Sequence, residues 1–161
     1  MDTQRRLIAT RLEFQDALRE AFGDIARTGC REVYLCDEDF ADWPLNEIAV
    51  VEHLAQWAHS HRKLTLVARH FDEFPRRHPR WVEWRRQWSH VVECRALDPS
   101  EAGPVPVLLV APGLLTLRLV DPIGHRGSFS REQADVLQNR ESVDAVLQHS
   151  NEAFPVTILG L

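Results

Sequence analysis

Asp37 and Asp39 follow directly on the apolar run Val33-Tyr34-Leu35-Cys36. Two carboxylates at a strand end can hold Mg²⁺ through oxygen ligands and so assist phosphoryl transfer. Open α/β sheets place their ligands at such strand ends. The plainer role for the same acids is to cap and solvate the turn that leaves the strand. A second set is basic. Arg69, Arg76, Arg77 and Arg80 lead into a helix, expected over about 79–89, that carries Trp81, Trp84 and Trp88 at i, i+3 and i+7, so the three indoles share one face. Free N–H groups at that helix start, with the guanidinium groups, suit a phosphate or another anion, and exposed indoles would stack bases. Three tryptophans at helical spacing equally make a core face, with Arg80, Glu83, Arg86 and Gln87 as the wet side.

Other chemistries find less support. His59, His61, His70, His78 and His90 surround the central stretch, but none has a ligand spacing such as HExxH, so no metal is expected. Cys30, Cys36 and Cys94 form no CxxC pair, which points to free thiols in a reducing cytoplasm. Cys36 and Cys94 stand in apolar strands, where a thiol behaves as a small hydrophobe. There is no GxSxG elbow, and Gly124-x-x-Gly127 lacks the spacing of a phosphate-cradling loop. No cofactor is expected.

The net charge of -5 argues against wholesale adhesion to nucleic acid or an anionic membrane. Within 69–95, however, seven arginines face four acids, a local +3 that leaves -8 for the rest of the chain. No apolar run is long enough for a signal peptide or a membrane span, and 161 residues suit one domain, 1–161.

The elements that must position these residues follow in order. Leu7 to Ala9 is a short strand or a lead-in. Thr10 and Glu13 have capping-box spacing, Phe14, Ala17, Leu18, Ala21, Phe22 and Ile25 trace one helical face, and Gly29 is a C′ stop. Glu32 to Cys36 is a strand. Asp42-Trp43-Pro44 is expected to open a second helix with Ile48, Val51, Leu54, Ala55 and Ala58 buried, ending near His61. Strands at Leu64–Ala68 and Val91–Leu97 flank the tryptophan helix. Val107–Val110 and Leu114–Val120 form a hairpin around Pro112-Gly113, a type II turn, and Pro106 puts that end at a sheet edge. Asp121–Phe129 reads as a loop. Ser130 and Gln133 repeat the capping-box spacing ahead of a helix, broken near Asn139, and Phe154–Leu161 reads as a terminal strand.

Within this order stand Leu35-Cys36-Asp37-x-Asp39-Phe40, Ala68-Arg69-x-Phe71-Asp72-x-x-x-Arg76 and the closing Phe154-Pro155-x-Thr157-x-Leu159-Gly160-Leu161. The order of elements resembles one half of the phospholipase D-like fold. More closely, these residues make the chain similar to a bacterial family of that type with no assigned activity, found alone or beside acetyltransferase domains. Catalytic members carry His-x-Lys-x4-Asp on the strand entering the terminal hairpin, where the His attacks phosphorus and the Lys steadies its charge. A Gly-Ser with Asn two residues further on comes later. Here Val105 to Ala111 is expected on that strand, without His, Lys or Asp. His61-Arg62-Lys63 fits His-x-Lys, but ends a helix and has Ala68 at the Asp position. Gly127-Ser128 matches the Gly-Ser, with Ser130 where Asn would stand. The Asp37-x-Asp39 pattern also resembles the opening motif of haloacid dehalogenase phosphatases. Ala41 and Ala68-Arg69 replace the Thr or Val and the Ser or Thr those enzymes carry next.

The expected fold is α/β: a single domain with a mixed, mainly parallel sheet, helices on both faces and an antiparallel C-terminal hairpin. The resemblance implies a non-catalytic binding or regulatory domain without a catalytic residue, pairing as a homodimer. Two alternatives stand beside it: a Mg²⁺-dependent phosphohydrolase using Asp37 and Asp39, and a binder of phosphate-bearing ligand or nucleic acid through Arg69–Arg86.

Overall fold

The computed structural model describes residues 4–155. A first strand, β1 (Arg5–Ile8), leads into α1 (Arg11–Thr28). Thr10 Oγ1 accepts from the Glu13 N–H at 3.0 Å, and the Glu13 carboxylate accepts from the Ala9 N–H at 2.7 Å, so the capping box closes one donor early. Gly29 ends the helix at φ 75°, a left-handed conformation that only glycine adopts without a Cβ penalty.

Three strands, β2 (Glu32–Cys36), β3 (Lys63–Ala68) and β4 (Val92–Leu97), pair in parallel. They are joined by α2 (Ile48–Trp57) and by two consecutive helices, α3 (Phe74–Arg77) and α4 (Pro79–Gln87). The sheet then grows antiparallel. On one side of β2 come β5 (Val107–Ala111), β6 (Leu115–Asp121), β7 (Arg126–Ser130) and finally β1; on the far side of β4 lies β8 (Ser150–Glu152). The α/β class and the mixed sheet are as expected, but the parallel part is confined to β2, β3 and β4. Tight hairpin turns can join only antiparallel neighbours, and two such turns follow one another from β5 to β7.

Several local expectations shift. Asp42-Trp43-Pro44 forms a turn, and α2 starts only at Ile48. Its buried side carries Val50, Leu54 and Trp57, with Ile48 outward. The Trp57 indole donates to the Cys30 carbonyl at 2.6 Å, and this large side chain sets the rotation of the helix. Pro106 precedes an interior strand, since β5 lies between β2 and β6. The expected loop 121–129 contains β7, and Ser130 lies in that strand, so α5 (Gln133–Leu147) begins with Glu132 as its cap residue and runs unbroken through Asn139. Of the expected terminal strand, residues 156–161 lie outside the described residues.

One side of the sheet carries the larger core, packed under α1, α2, α3 and α4. Trp81 and Trp84 are buried in it, against Phe74 and each other, so the tryptophan stripe is a core face. Among the described residues the other side is covered by α5 alone, through Tyr34, Cys36, Val67, Leu108, Val110, Val136 and Val143. One helix is too narrow for eight strands, and no described residue covers the sheet beyond it.

Candidate functional site

Residues opposite one another across antiparallel ladders share a side of the sheet. On the α5 side, one row runs Arg5–Ser130–Thr116–Val110, and the next Leu7–Ser128–Arg118–Leu108. The apolar members lie under the helix. The polar members gather where β6, β7 and β1 pass beyond it.

From above, α5 supplies Asp135, Asn139 and Ser142 at i, i+4 and i+7, one helical stripe. Thr116 Oγ1 donates to the Leu109 carbonyl at 2.8 Å and accepts from Asn139 Nδ2 at 2.9 Å. Asn139 Oδ1 then accepts from Arg118 Nη1 at 3.1 Å, and Ser142 Oγ accepts from the same nitrogen at 3.0 Å. Ser130 Oγ donates to Asp135 at 2.6 Å, and Arg5 grips that carboxylate through Nε and Nη2. Thr116, Ser130 and Asn139 are all buried. Together these groups line a cleft of about 490 Å³ between α5 and the strands.

The two arginines differ in charge balance. Arg5 is answered by Asp135, whose carboxyl is held below its ordinary range by the Arg5 hydrogen bonds first and by Ser130 next. Arg118 is held only by a neutral amide and a neutral hydroxyl, and among the described residues it has no carboxylate partner. Its Nε and Nη2 make no hydrogen bond among them. The arrangement presents a fixed, uncompensated guanidinium beside Ser128, suited to a phosphate oxygen. The nearby Cys36 thiol is pushed up to about 12 by burial, which leaves no thiolate to attack.

Sequence reasoning missed this cleft. The hairpin strand opposite Gly127-Ser128 is β6, not the fully buried β5 within the expected Val105–Ala111. Gly127 itself is required, because a Cβ there would collide with the Arg118 carbonyl and approach Leu119 Cα to 2.7 Å. The available signal was Thr116-x-Arg118, two polar residues on one face of an otherwise apolar strand.

The expected site residues lie elsewhere. Asp37 Oδ2 accepts from the Asp39 and Phe40 N–H groups at 3.1 and 2.7 Å, and Asp39 Oδ1 accepts from the Ala41 N–H at 3.0 Å. Burial raises the Asp37 carboxyl, against the pull of those N–H groups. The Trp43 indole also lowers it, but at a geometry short of a hydrogen bond. Among the described residues no three His, Cys, Asp or Glu side chains converge on a metal position. Arg69 reaches Glu38 at 3.0 Å and the Glu101 and Gly103 carbonyls, and Arg76 pairs with Glu73. Arg77 lies 3.4 Å from Asp39, and Arg80 donates to the Asn46 carbonyl. Asn46 Oδ1 also takes the Arg80 N–H, one of the free donors at the start of α4. Among the described residues no helix is long and apolar enough to cross a membrane.

No protein-family model matches the sequence, and no curated protein matches it. Solved structures do. NucT from Helicobacter pylori is 10% identical with a TM-score of 0.63, over 92% of this chain and 98% of that one. TrmBL2, an archaeal chromatin protein with a novel mode of DNA binding, is 10% identical with a TM-score of 0.62, over 93% of this chain and 54% of that one. The chain thus spans about half the length of that relative. Nuc from Salmonella typhimurium, a phospholipase D family member, is 6% identical with a TM-score of 0.50, over 84% of this chain and 90% of that one. With its single mixed sheet and the order of its strands, this chain has the fold of a phospholipase D-like half-domain.

Proposed function

We propose that this is a non-catalytic phospholipase D-like domain that binds a phosphate-bearing ligand in the α5 cleft. One observation carries the reading. The strand that enters the last hairpin, where the resemblance expects His-x-Lys, carries Thr116 and Arg118, and the Arg118 guanidinium is oriented by Asn139 and Ser142 without a counter-charge among the described residues. A guanidinium can hold a phosphate, but neither Thr116, committed to the Leu109 carbonyl, nor the buried Cys36 can attack phosphorus. In this reading the cleft keeps a cation for the electrostatic half of the reaction, and Thr116 stands in place of the nucleophilic His. Arg69, Arg76 and Arg77 already meet the Glu38, Glu73 and Asp39 carboxylates, and Arg80 is turned to the Asn46 carbonyl and lines none of the clefts described, which makes these four the poorer anion sites.

The test is binding of a short single-stranded oligonucleotide and of inorganic phosphate, followed by amide chemical shifts. Both ligands should move the Ser128, Ser130 and Asn139 resonances, with affinity that falls as salt rises. Arg118→Met should weaken binding by roughly tenfold or more. Binding that is unchanged in Arg118→Met but lost in Arg76→Ala would move the site to the arginine-rich stretch and overturn the reading.

A further inference from the structure

A second arginine is stranded on the opposite side of the sheet. Arg85 follows Trp84 on α4 and is carried into the protein with it, so that only 6% of the residue is exposed. Its neighbours Arg86 and Arg95 are paired with Glu83 and Glu93. Arg85 has no such partner among the described residues. Its Nε is buried without a hydrogen-bond partner, and the guanidinium rests 4.8 Å from the centre of the Phe154 ring. A buried guanidinium with an unpartnered Nε and no counter-charge among the described residues is costly to keep in a protein, and an aromatic face offsets only part of that cost. Such a group calls for an anion.

There is room for one. Arg85 lines a cleft of about 570 Å³ at the corner where α4, β4 and β8 meet, together with Lys63, Ser89, His90, Cys94 and Glu152. Lys63 is balanced by Glu93 at 3.1 Å, and among the described residues Arg85 is the cation of the cleft left without an ion pair, with the Glu152 carboxylate also on the lining and unpaired. Val92, Ala153 and Pro155 add apolar wall. We propose that this cleft binds a small organic anion, its carboxylate or phosphate head on the Arg85 guanidinium and its body against the apolar wall. The planar fork of Arg matches either head group with two parallel hydrogen bonds. The site is separate from the Arg118 cleft and does not rest on the function proposed for it.

The experiment titrates the full chain with inorganic phosphate and with acetate, using chloride at matched ionic strength as reference. Melting temperature and the Ser89, His90 and Ala153 amide shifts are followed. Expected is a saturable shift that phosphate, acetate or both produce and chloride does not, the preferred ion identifying the head group. It should persist in Arg118→Met and weaken roughly tenfold or more in Arg85→Met. Arg85→Lys keeps the charge without the fork and should fold normally with intermediate affinity, which covers the case in which Arg85→Met does not fold. No saturable shift at these amides, or equal shifts in wild type and both Arg85 variants, overturns the proposal. Loss in Arg118→Met with retention in Arg85→Met would assign all anion binding to the other cleft.

Discussion

The polar cleft makes Asn139 and Arg118 energetically inseparable, and a double-mutant cycle measures that coupling. Asn139 uses both ends of its amide: Nδ2 donates to Thr116, and Oδ1 accepts from Arg118. A neutral hydrogen bond contributes about 1 kcal/mol and one to a charged group about 1.5–3 kcal/mol. Asn139→Ala should therefore cost about 2–4 kcal/mol, the upper part reflecting burial of the site. Arg118→Met keeps the aliphatic stem against the sheet but removes donors from Asn139 and Ser142, at a cost of about 1–3 kcal/mol. In the double variant the shared bond is lost only once. The combined cost should fall short of the sum by about 1–2 kcal/mol, against deviations within about 0.5 kcal/mol for independent sites. The assay is urea unfolding followed by tryptophan fluorescence, with the midpoint compared at constant slope. Costs that add within about 0.5 kcal/mol would refute the network as the device that fixes Arg118.

Three further outcomes follow from the same geometry. Asp37 is an acid whose folded-state pKa is raised by burial, so its contribution turns unfavourable as pH rises from the unfolded value through the folded one. Asp37→Asn keeps an oxygen acceptor for the Asp39 and Phe40 N–H groups. It should therefore melt higher than wild type at neutral pH, the gap closing under acid; a variant less stable at neutral pH would contradict this. Gly127→Ala must push β6 and β7 apart, because its Cβ meets the Arg118 backbone. It should lower the unfolding midpoint and broaden the Thr116 and Ser128 amides, and an unchanged spectrum would refute the close approach. Trp81→Ala empties a fully buried position beside Phe74 and Trp84. The expected loss is about 3–5 kcal/mol in chemical unfolding, and a loss below about 1 kcal/mol would mean that the stripe is not core.

What the sequence disclosed was set by local chemistry. The Thr10–Glu13 cap, the Gly29 stop, the apolar strands β2, β3 and β4 and the Pro112-Gly113 turn each depend on neighbours a few residues away. All appear where expected, with Gly113 at φ 83°. The position of β7 is set instead by pairing with β6 and β1, the latter more than a hundred residues distant, and Gly-Ser-rich Arg126–Ser130 has little strand propensity of its own. The same cause hid the cleft. Thr116 and Arg118 read as two polar interruptions of a greasy strand, and only the sheet register brings them opposite Ser130 and Ser128 and beneath Asn139 and Ser142. The basic stretch misled for the converse reason. Its arginines are conspicuous in sequence, yet Arg69, Arg76 and Arg77 find acids close at hand and Arg80 is turned to the Asn46 backbone, whereas Arg118 meets only the Asn139 amide and the Ser142 hydroxyl and has no acid partner among the described residues.

A cleft that grips a phosphate without breaking its ester is tested most directly by the rate of phosphodiester cleavage by the pure protein. With a chromogenic phosphodiester at saturating protein, the expected rate is that of the buffer alone, in wild type and Arg118→Met alike. Turnover that disappears in Arg118→Met, or that maps to His61 or Lys63, would show that the chain supplies a nucleophile after all.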